Sequence, residues 1–198
     1  MLEYEKAAQE SGAELIAGVD EAGRGPLAGP VVVAGVIMPL DEENLIEGVN
    51  DSKKLSAKKR DLLFDEIMAK AIDVQVAVIS CREVDELNVL NATKKGMLQC
   101  IDGLKRVDKV LIDAVKLSAK VPTLAIVHGD ALSYSIAAAS IVAKVTRDRL
   151  MTEYDKQYPQ YNFAKHKGYG TAEHIRLLQQ YGPCPIHRRT FIGHFVQL

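Results

Sequence analysis

The sequence predicts an α/β fold, a mixed sheet covered by helices. Three observations predict it. Short apolar runs rich in Val and Ile recur along the chain, and the first two are joined too closely for a helix to lie between them. From about residue 56 onward, strand-like runs alternate with segments of helical length. Early antiparallel strands followed by strands alternating with helices give a sheet of mixed direction.

Residues 14–21 read as a buried strand, Leu15-Ile16-Ala17-Gly18-Val19, that ends in Asp20 and Glu21. Val31-Val32-Val33-Ala34-Gly35-Val36-Ile37-Met38 supplies a β-branched second strand over 30–38. Between them Gly23, Gly25 and Gly29 resemble a dinucleotide-binding fingerprint, but that motif needs a helix after its glycines. Here Pro26 and Pro30 interrupt the turn and a strand follows, so no helix N-terminus can face a pyrophosphate. A helix over 56–71 starts at Ser56, a good N-cap. A strand over 73–80 comes next, then helices over 82–88 and 91–105. Val110-Leu111-Ile112-Asp113 is a short strand ending in an acid, and Thr123-Leu124-Ala125-Ile126-Val127 is another, followed by His128-Gly129-Asp130. The long helix over 133–156 opens with Ser135-Ile136-Ala137-Ala138-Ala139-Ser140, small enough to pack closely on a sheet. A helix over 171–181 precedes Pro183, Pro185 and a basic segment.

The chain has 198 residues, 47% of them hydrophobic, which suits one globular domain. No run approaches the roughly 18 apolar residues of a membrane span, so no membrane partner is expected. The N-terminus, Met1-Leu2-Glu3-Tyr4-Glu5-Lys6, lacks a signal-peptide pattern. Cys81, Cys100 and Cys184 are odd in number and lack metal-ligand spacing, which predicts reduced thiols in the cytoplasm. A net charge of −1 does not suggest a nucleic-acid binder, but its distribution is uneven. Residues 1–50 carry 2 basic and 10 acidic side chains, against 23 and 16 in the remainder. An acidic metal centre beside a basic surface would produce this asymmetry.

The carboxylates repeat a pattern. Asp20 and Glu21 end one apolar strand, Asp113 ends a second, and Asp130 follows a third. Two adjacent acids at a strand end repel each other and lose hydration together, a cost a bound cation offsets. Taken singly, Asp113 reads as a turn residue and Asp130 as a helix N-terminal acid. Together, at strand ends that converge on one crevice, they form an oxygen cage suited to Mg²⁺ or Mn²⁺.

Five segments carry a family resemblance. Gly18-Val19-Asp20-Glu21-Ala22-Gly23-Arg24-Gly25-Pro26 and Asn50-Asp51-Ser52-Lys53-Lys54-Leu55 come first. Ala137 to Asp148, His166-Lys167-Gly168-Tyr169 and His187-Arg188-Arg189-Thr190-Phe191 follow. In this order, from about 14 to 195, they resemble ribonuclease HII, the type 2 ribonuclease H. The resemblance implies a ribonuclease H-like mixed five-stranded sheet flanked by helices, with a helical C-terminal extension. One domain over 1–198 is expected, its catalytic core over about 14–160 and its extension over about 161–198. The implied activity is endonucleolytic hydrolysis of RNA in RNA–DNA hybrids, with cleavage 5′ to a single ribonucleotide in duplex DNA. A two-metal site of Mg²⁺ or Mn²⁺ is implied, with 3′-hydroxyl and 5′-phosphate products.

Residue by residue, Asp20, Glu21, Asp113 and Asp130 match the four acidic metal-site and catalytic residues. Gly23, Arg24 and Gly25 match the loop that senses the ribose 2′-hydroxyl, and Tyr169 matches the tyrosine that packs at the RNA–DNA junction. Lys53, Ser140 and Lys144 fall in segments that contact phosphates. His128 stands where a lysine commonly precedes Gly-Asp, and Gly170 where proline commonly follows the tyrosine. The protein is taken as a monomer, with contact to a replication clamp left open.

The chemistry suits these residues. Two divalent ions can clamp the attacking and leaving oxygens of an in-line displacement, with Asp20 bridging them. The 2′-hydroxyl is what distinguishes RNA from DNA at a site. Glycine backbone can read it at contact distance, so a methyl group on Gly23 is expected to push the sugar away or to twist a turn that needs positive φ. Arg147, one turn beyond Lys144, is expected to share its approach to phosphate. A non-catalytic binder would lack some of the four acids. Ribonuclease HIII generally carries an extra N-terminal domain, and about a dozen residues before the first strand are too few for one.

Overall fold

The structure, a computed structural model, describes residues 1–197. Leu198, the last residue of the expected extension, lies outside the described residues. Five strands form one sheet in the order β3-β2-β1-β4-β5. They are β1 (Ile16–Ala22), β2 (Val31–Ile37), β3 (Asp73–Ile79), β4 (Lys109–Asp113) and β5 (Thr123–Ile126). β1, β2 and β3 pair antiparallel, while β1, β4 and β5 pair parallel. The mixed sheet expected from the sequence is present, each strand within two residues of its expected bounds.

Helix caps account for the helix starts. Ser56 accepts from the Lys59 amide at 3.2 Å and opens α2 (Ala57–Lys70). Ser80 and Glu83 form a reciprocal capping box at α3 (Cys81–Leu87), and Asn88 caps α4 (Val89–Gly103). Ser133 accepts from the Ile136 amide at 3.2 Å and opens the 24-residue α6 (Tyr134–Gln157). Thr171 caps α8 (Ala172–Tyr181).

Strand alternation divides the core. On one face Ala17, Val19, Val33 and Ile112 pack against Met97 and Ile101 of α4. On the other, Ala34 and Val36 pack against Ala138 and Ile141 of α6 and Leu63 and Ile67 of α2. The small residues at the start of α6 allow the close approach that the sequence suggests. A β-carbon on Gly18 would stand 2.0 Å from the Ser135 carbonyl carbon, so β1 needs a glycine where the helix lies on it.

Four helices are additional to the sequence reading: α1 (Glu3–Glu10), α5 (Gly129–Leu132), α7 (Phe163–His166) and α9 (Arg189–Ile192). α1 is tied to α6 by Glu5, which is fully buried. Glu5 accepts from the Ser133 hydroxyl at 2.6 Å and from the Ser135 amide at 2.9 Å, an anion set against a helix N-terminus. At the other end of the chain, Met151, Tyr161, Phe163, Leu177 and Ile186 form an apolar cluster around Ala28. The C-terminal segment is thereby packed on the β1–β2 loop. Among the described residues no helix is long and apolar enough to cross a membrane, and the three cysteines are free.

Candidate active site

Strand register brings the acids together. Val19 pairs with Ile112, so the next residues, Asp20 and Asp113, lie side by side at neighbouring strand ends. Asp113 pairs with Ile126, and the chain turns back at His128, in the left-handed region at φ 58°, into α5, which carries Asp130. The Gly129 amide donates to Asp113 Oδ1 at 2.7 Å and fixes that carboxylate. Oxygens of Asp20, Asp113 and Asp130 all lie within 4.8 Å of one another. Asp130, following the unusual His128, therefore stands with the other two.

Glu21 stands apart from this triplet. Side chains alternate along a strand, so Glu21 leaves β1 on the opposite side from Asp20. Its Oε1 accepts from Arg24 at 3.3 Å, and its Oε2 is buried with no hydrogen-bond partner.

Burial governs the electrostatics. It pushes Asp20 well above the usual carboxylate range, and the charges of Glu21 and Asp113 push further the same way. Glu21 is raised by burial against the opposing pull of Arg24. Asp130 is raised by burial, then by Asp113 and Asp51. Burial alone would lower Lys53, but Asp130, Asp20 and Asp51 outweigh it and raise its pKa. Lys53 Nζ lies 3.5 Å from Asp130. Clustered carboxylates held this unfavourably, with an unpartnered buried oxygen beside them, suit a hard divalent cation with oxygen ligands. Asp20, Asp113 and Asp130 fit as its ligands, with Glu21 adjacent.

Next to the acids lies a cleft of about 380 Å³. Gly23, Arg24, Gly25, Lys53, Ser140, Lys144 and Tyr169 all line it. Tyr169 is 43% exposed, so it is not core filler, and the Arg147 guanidinium lies 5.9 Å from its ring centre. A β-carbon on Gly25 would meet only the Tyr169 ring edge, at 4.0 Å. Lys144 is paired with Asp148, one turn along α6, at 2.7 Å. Ser140 lines the cleft but is largely buried. Its hydroxyl shares a 2.8 Å hydrogen bond with Ser52 and favours the charged form of Asp20 beside it.

Two of the residues singled out from sequence are tied into the fold around the cleft. Arg147 also lines the cleft, but it is almost fully buried and its guanidinium is committed to the carbonyls of Pro30 at 3.0 Å, Lys167 at 3.0 Å and Ala28 at 3.1 Å. Gly23 is a glycine for its backbone, at φ +98°, and for Arg147, whose Nε would stand 2.0 Å from an added β-carbon. Gly25, by contrast, has open space where a β-carbon would stand.

Sequence reasoning gave no role to Arg147, Arg188, His174 or His187 in building this site. Arg188, fully buried, donates to Gly23 O at 2.6 Å, Arg24 O at 2.9 Å and Gly29 O at 2.8 Å. Burial pushes its pKa down to about 10, with the charge of Arg147 adding to the effect. A signal was present: a loop with two prolines between two strands leaves carbonyls that need donors from elsewhere.

Comparison with known proteins agrees with this geometry. The ribonuclease HII family model matches residues 17–194. A ribonuclease HII of Acetivibrio thermocellus is 56% identical over 195 residues, which is 98% of this chain and 75% of that one. The crystal structure of the ribonuclease H2 from Pyrococcus horikoshii OT3 is similar at a TM-score of 0.75 and 30% identity, covering 89% of this chain and 93% of that one. A chain of the PCNA:RNase HII complex from Archaeoglobus fulgidus is similar at 0.77 and 27%, covering 90% and 94%.

Proposed function

Because this chain belongs to the ribonuclease HII family, a family of metal-dependent endonucleases acting on RNA–DNA, we propose that it cleaves on the 5′ side of single ribonucleotides embedded in duplex DNA as well as within RNA–DNA hybrids. The products are a 3′-hydroxyl and a 5′-phosphate. The observation that carries the reading is the Asp20, Asp113 and Asp130 triplet, its oxygens within 4.8 Å of one another beside the Gly23–Tyr169 cleft.

Asp20, Asp113 and Asp130 would hold two divalent ions, Mg²⁺ or Mn²⁺, and Glu21 would complete the set. When bound, the ions supply an activated water and stabilise charge on the departing 3′-oxygen. The rest falls to the protein. Asp20, the most deeply buried of the three, would be the ligand shared by both ions. Lys53, exposed at its tip and 3.5 Å from Asp130, offers a cation to a non-bridging phosphate oxygen at the rim. Lys144 adds charge along the backbone path, and Ser140 orients Asp20 from below. Amides of the Gly23–Gly25 loop meet the ribose 2′-hydroxyl while Tyr169 packs against the neighbouring sugar or base.

The whole chain is read as one unit, a core to about 160 and an extension from about 161. Arg188 in the extension donates into the Gly23–Gly29 loop of the core, so neither part is complete alone. The activity suits ribonucleotide removal in the cytoplasm alongside DNA replication. Mapping the cut in an end-labelled duplex with one ribonucleotide tests the reading. A single cut on the 5′ side of that residue is expected, and a cut on its 3′ side would refute it.

A further inference from the structure

The segment His187-Arg188 is the one sequence motif that the proposed chemistry leaves without a role. It docks on the β1–β2 loop as an isolated antiparallel bridge, Ala28 against His187. The Gly29 amide donates to Ile186 O at 2.9 Å, and the Arg188 amide to Leu27 O at 2.8 Å. In extended chain, neighbouring side chains point to opposite sides. Arg188 and His187 accordingly reach different walls of the cleft.

Arg188 holds the glycine wall, donating to the carbonyls of Gly23, Arg24 and Gly29. In a trans peptide the carbonyl and the following N–H point in opposite directions. With the Gly23 and Arg24 carbonyls turned in to Arg188, the amides of Arg24 and Gly25 turn out. Among the described residues nothing accepts from either amide. The loop therefore presents donors, and its natural match is an acceptor oxygen. A ribose hydroxyl supplies one, and deoxyribose does not.

His187 holds the tyrosine wall through a chain of fixed tautomers. Its Nδ1 accepts from the Cys184 amide at 3.0 Å, so its proton sits on Nε2. That N–H donates to His174 Nε2 at 3.0 Å. His174 carries its own proton on Nδ1 and donates at 2.9 Å to the carbonyl of Tyr169. His166 stacks on His174 with ring centres 4.3 Å apart and steadies its plane.

We propose that His187 and Arg188 are positioning residues for ribose recognition, one dipeptide fixing both walls between which the sugar is read. The inference rests on the reading of this cleft as the ribonucleotide-sensing site. It assigns specificity to residues that touch neither metal nor substrate.

The test is discrimination, measured as the affinity for a duplex with one ribonucleotide over that for the all-DNA duplex. Chelator is present so that neither duplex is cut. Three variants separate the bonds. Arg188→Lys keeps a cation but loses the forked donors. His187→Asn keeps the acceptor for Cys184 and loses the reach to His174. His187→Gln keeps a donor toward His174. Arg188→Lys and His187→Asn are expected to lower discrimination about tenfold, and His187→Gln by less than about threefold. Cleavage should follow, with KM for the single-ribonucleotide duplex raised more than kcat is lowered. Wild-type discrimination in both Arg188→Lys and His187→Asn would overturn the inference, as would equal losses in His187→Gln and His187→Asn. Should Arg188→Lys not fold, the two His187 variants decide it. Equal binding of the two duplexes by the wild type would overturn the sensing role of the cleft itself, and this inference with it.

Discussion

A β-carbon on Gly23 would stand 2.0 Å from Nε of Arg147, where that side chain reaches across to the Pro30 carbonyl. The two residues belong to opposite ends of the catalytic core, yet each sets what the other can be. Gly23 also sits at φ +98°, where other residues are strained.

Gly23→Ala is therefore expected to destabilise the fold by roughly 2–5 kcal/mol, combining left-handed strain with overpacking. It should lower cleavage of every substrate. Gly25→Ala meets only the Tyr169 edge at 4.0 Å and should melt like the wild type. It should lose cleavage at a single embedded ribonucleotide more than cleavage of a long hybrid. Thermal melts and the two rates check this, and a selective effect from Gly23→Ala with an unchanged melt would contradict it.

Tyr169→Ala should fold normally, because the side chain is 43% exposed. A long hybrid offers many registers and many 2′-hydroxyls, so the loss should again be greater at a single ribonucleotide. Equal losses on both substrates, measured as the ratio of the two rates, would reduce Tyr169 to a supporting role.

The strands and the acids were legible because their signals are local. An apolar run ending in a carboxylate can be seen within a few residues, and it recurs at Asp20, Asp113 and after Ile126. Ser56 marked its helix by its own chemistry. What holds the site was less legible. Arg188 bonds to Gly23 across 165 residues, and nothing near Arg188 distinguishes it from the exposed Arg189. Glu5 is similar, an acid in a short polar helix whose partner Ser133 lies 128 residues away. Glu21 shows the finer limit. The sequence groups it with Asp20, and strand alternation separates the two.

Lys144→Ala should weaken binding of a ribonucleotide-containing duplex and lower its salt dependence by up to about one counterion. The ion pair with Asp148 at 2.7 Å keeps the effect below that of an unpaired cation. Binding measured over a range of salt tests this, and an unchanged slope would place Lys144 outside the substrate path.

The histidine chain gives stability a pH dependence of known sign. Burial pushes His174 and His187 down to about 4 from the ordinary 6.5; the charge of His166 adds to this at both, and that of His174 at His187. His166 is lowered as well, chiefly by burial. The unfolded chain takes up these protons as pH falls through 6.5, and the folded chain only near 4. Stability is thus fully present above about 6.5 and lost as pH falls toward about 4. Asp20 and Asp130 titrate with the opposite sign, equally in wild type and in His187→Gln. The variant should therefore lose less melting temperature between about pH 7 and about pH 5 than the wild type does. Parallel losses would contradict neutral, tautomer-fixed histidines.

Asp20→Asn should abolish cleavage and raise the melting temperature near neutral pH. The buried carboxylate, raised well above its usual range, opposes folding while it is ionised. The gap in melting temperature should close as pH falls and the wild-type Asp20 takes up its proton. A variant that melts below the wild type at neutral pH would mean that Asp20 stabilises the fold.

The most direct test of the central claim is cleavage of a labelled duplex carrying one ribonucleotide, compared in Mg²⁺, in Mn²⁺ and in excess chelator. The carboxylate triplet predicts cleavage with either ion, none in chelator, and full recovery when the ion is restored. Undiminished cleavage in excess chelator would contradict a metal site at Asp20, Asp113 and Asp130.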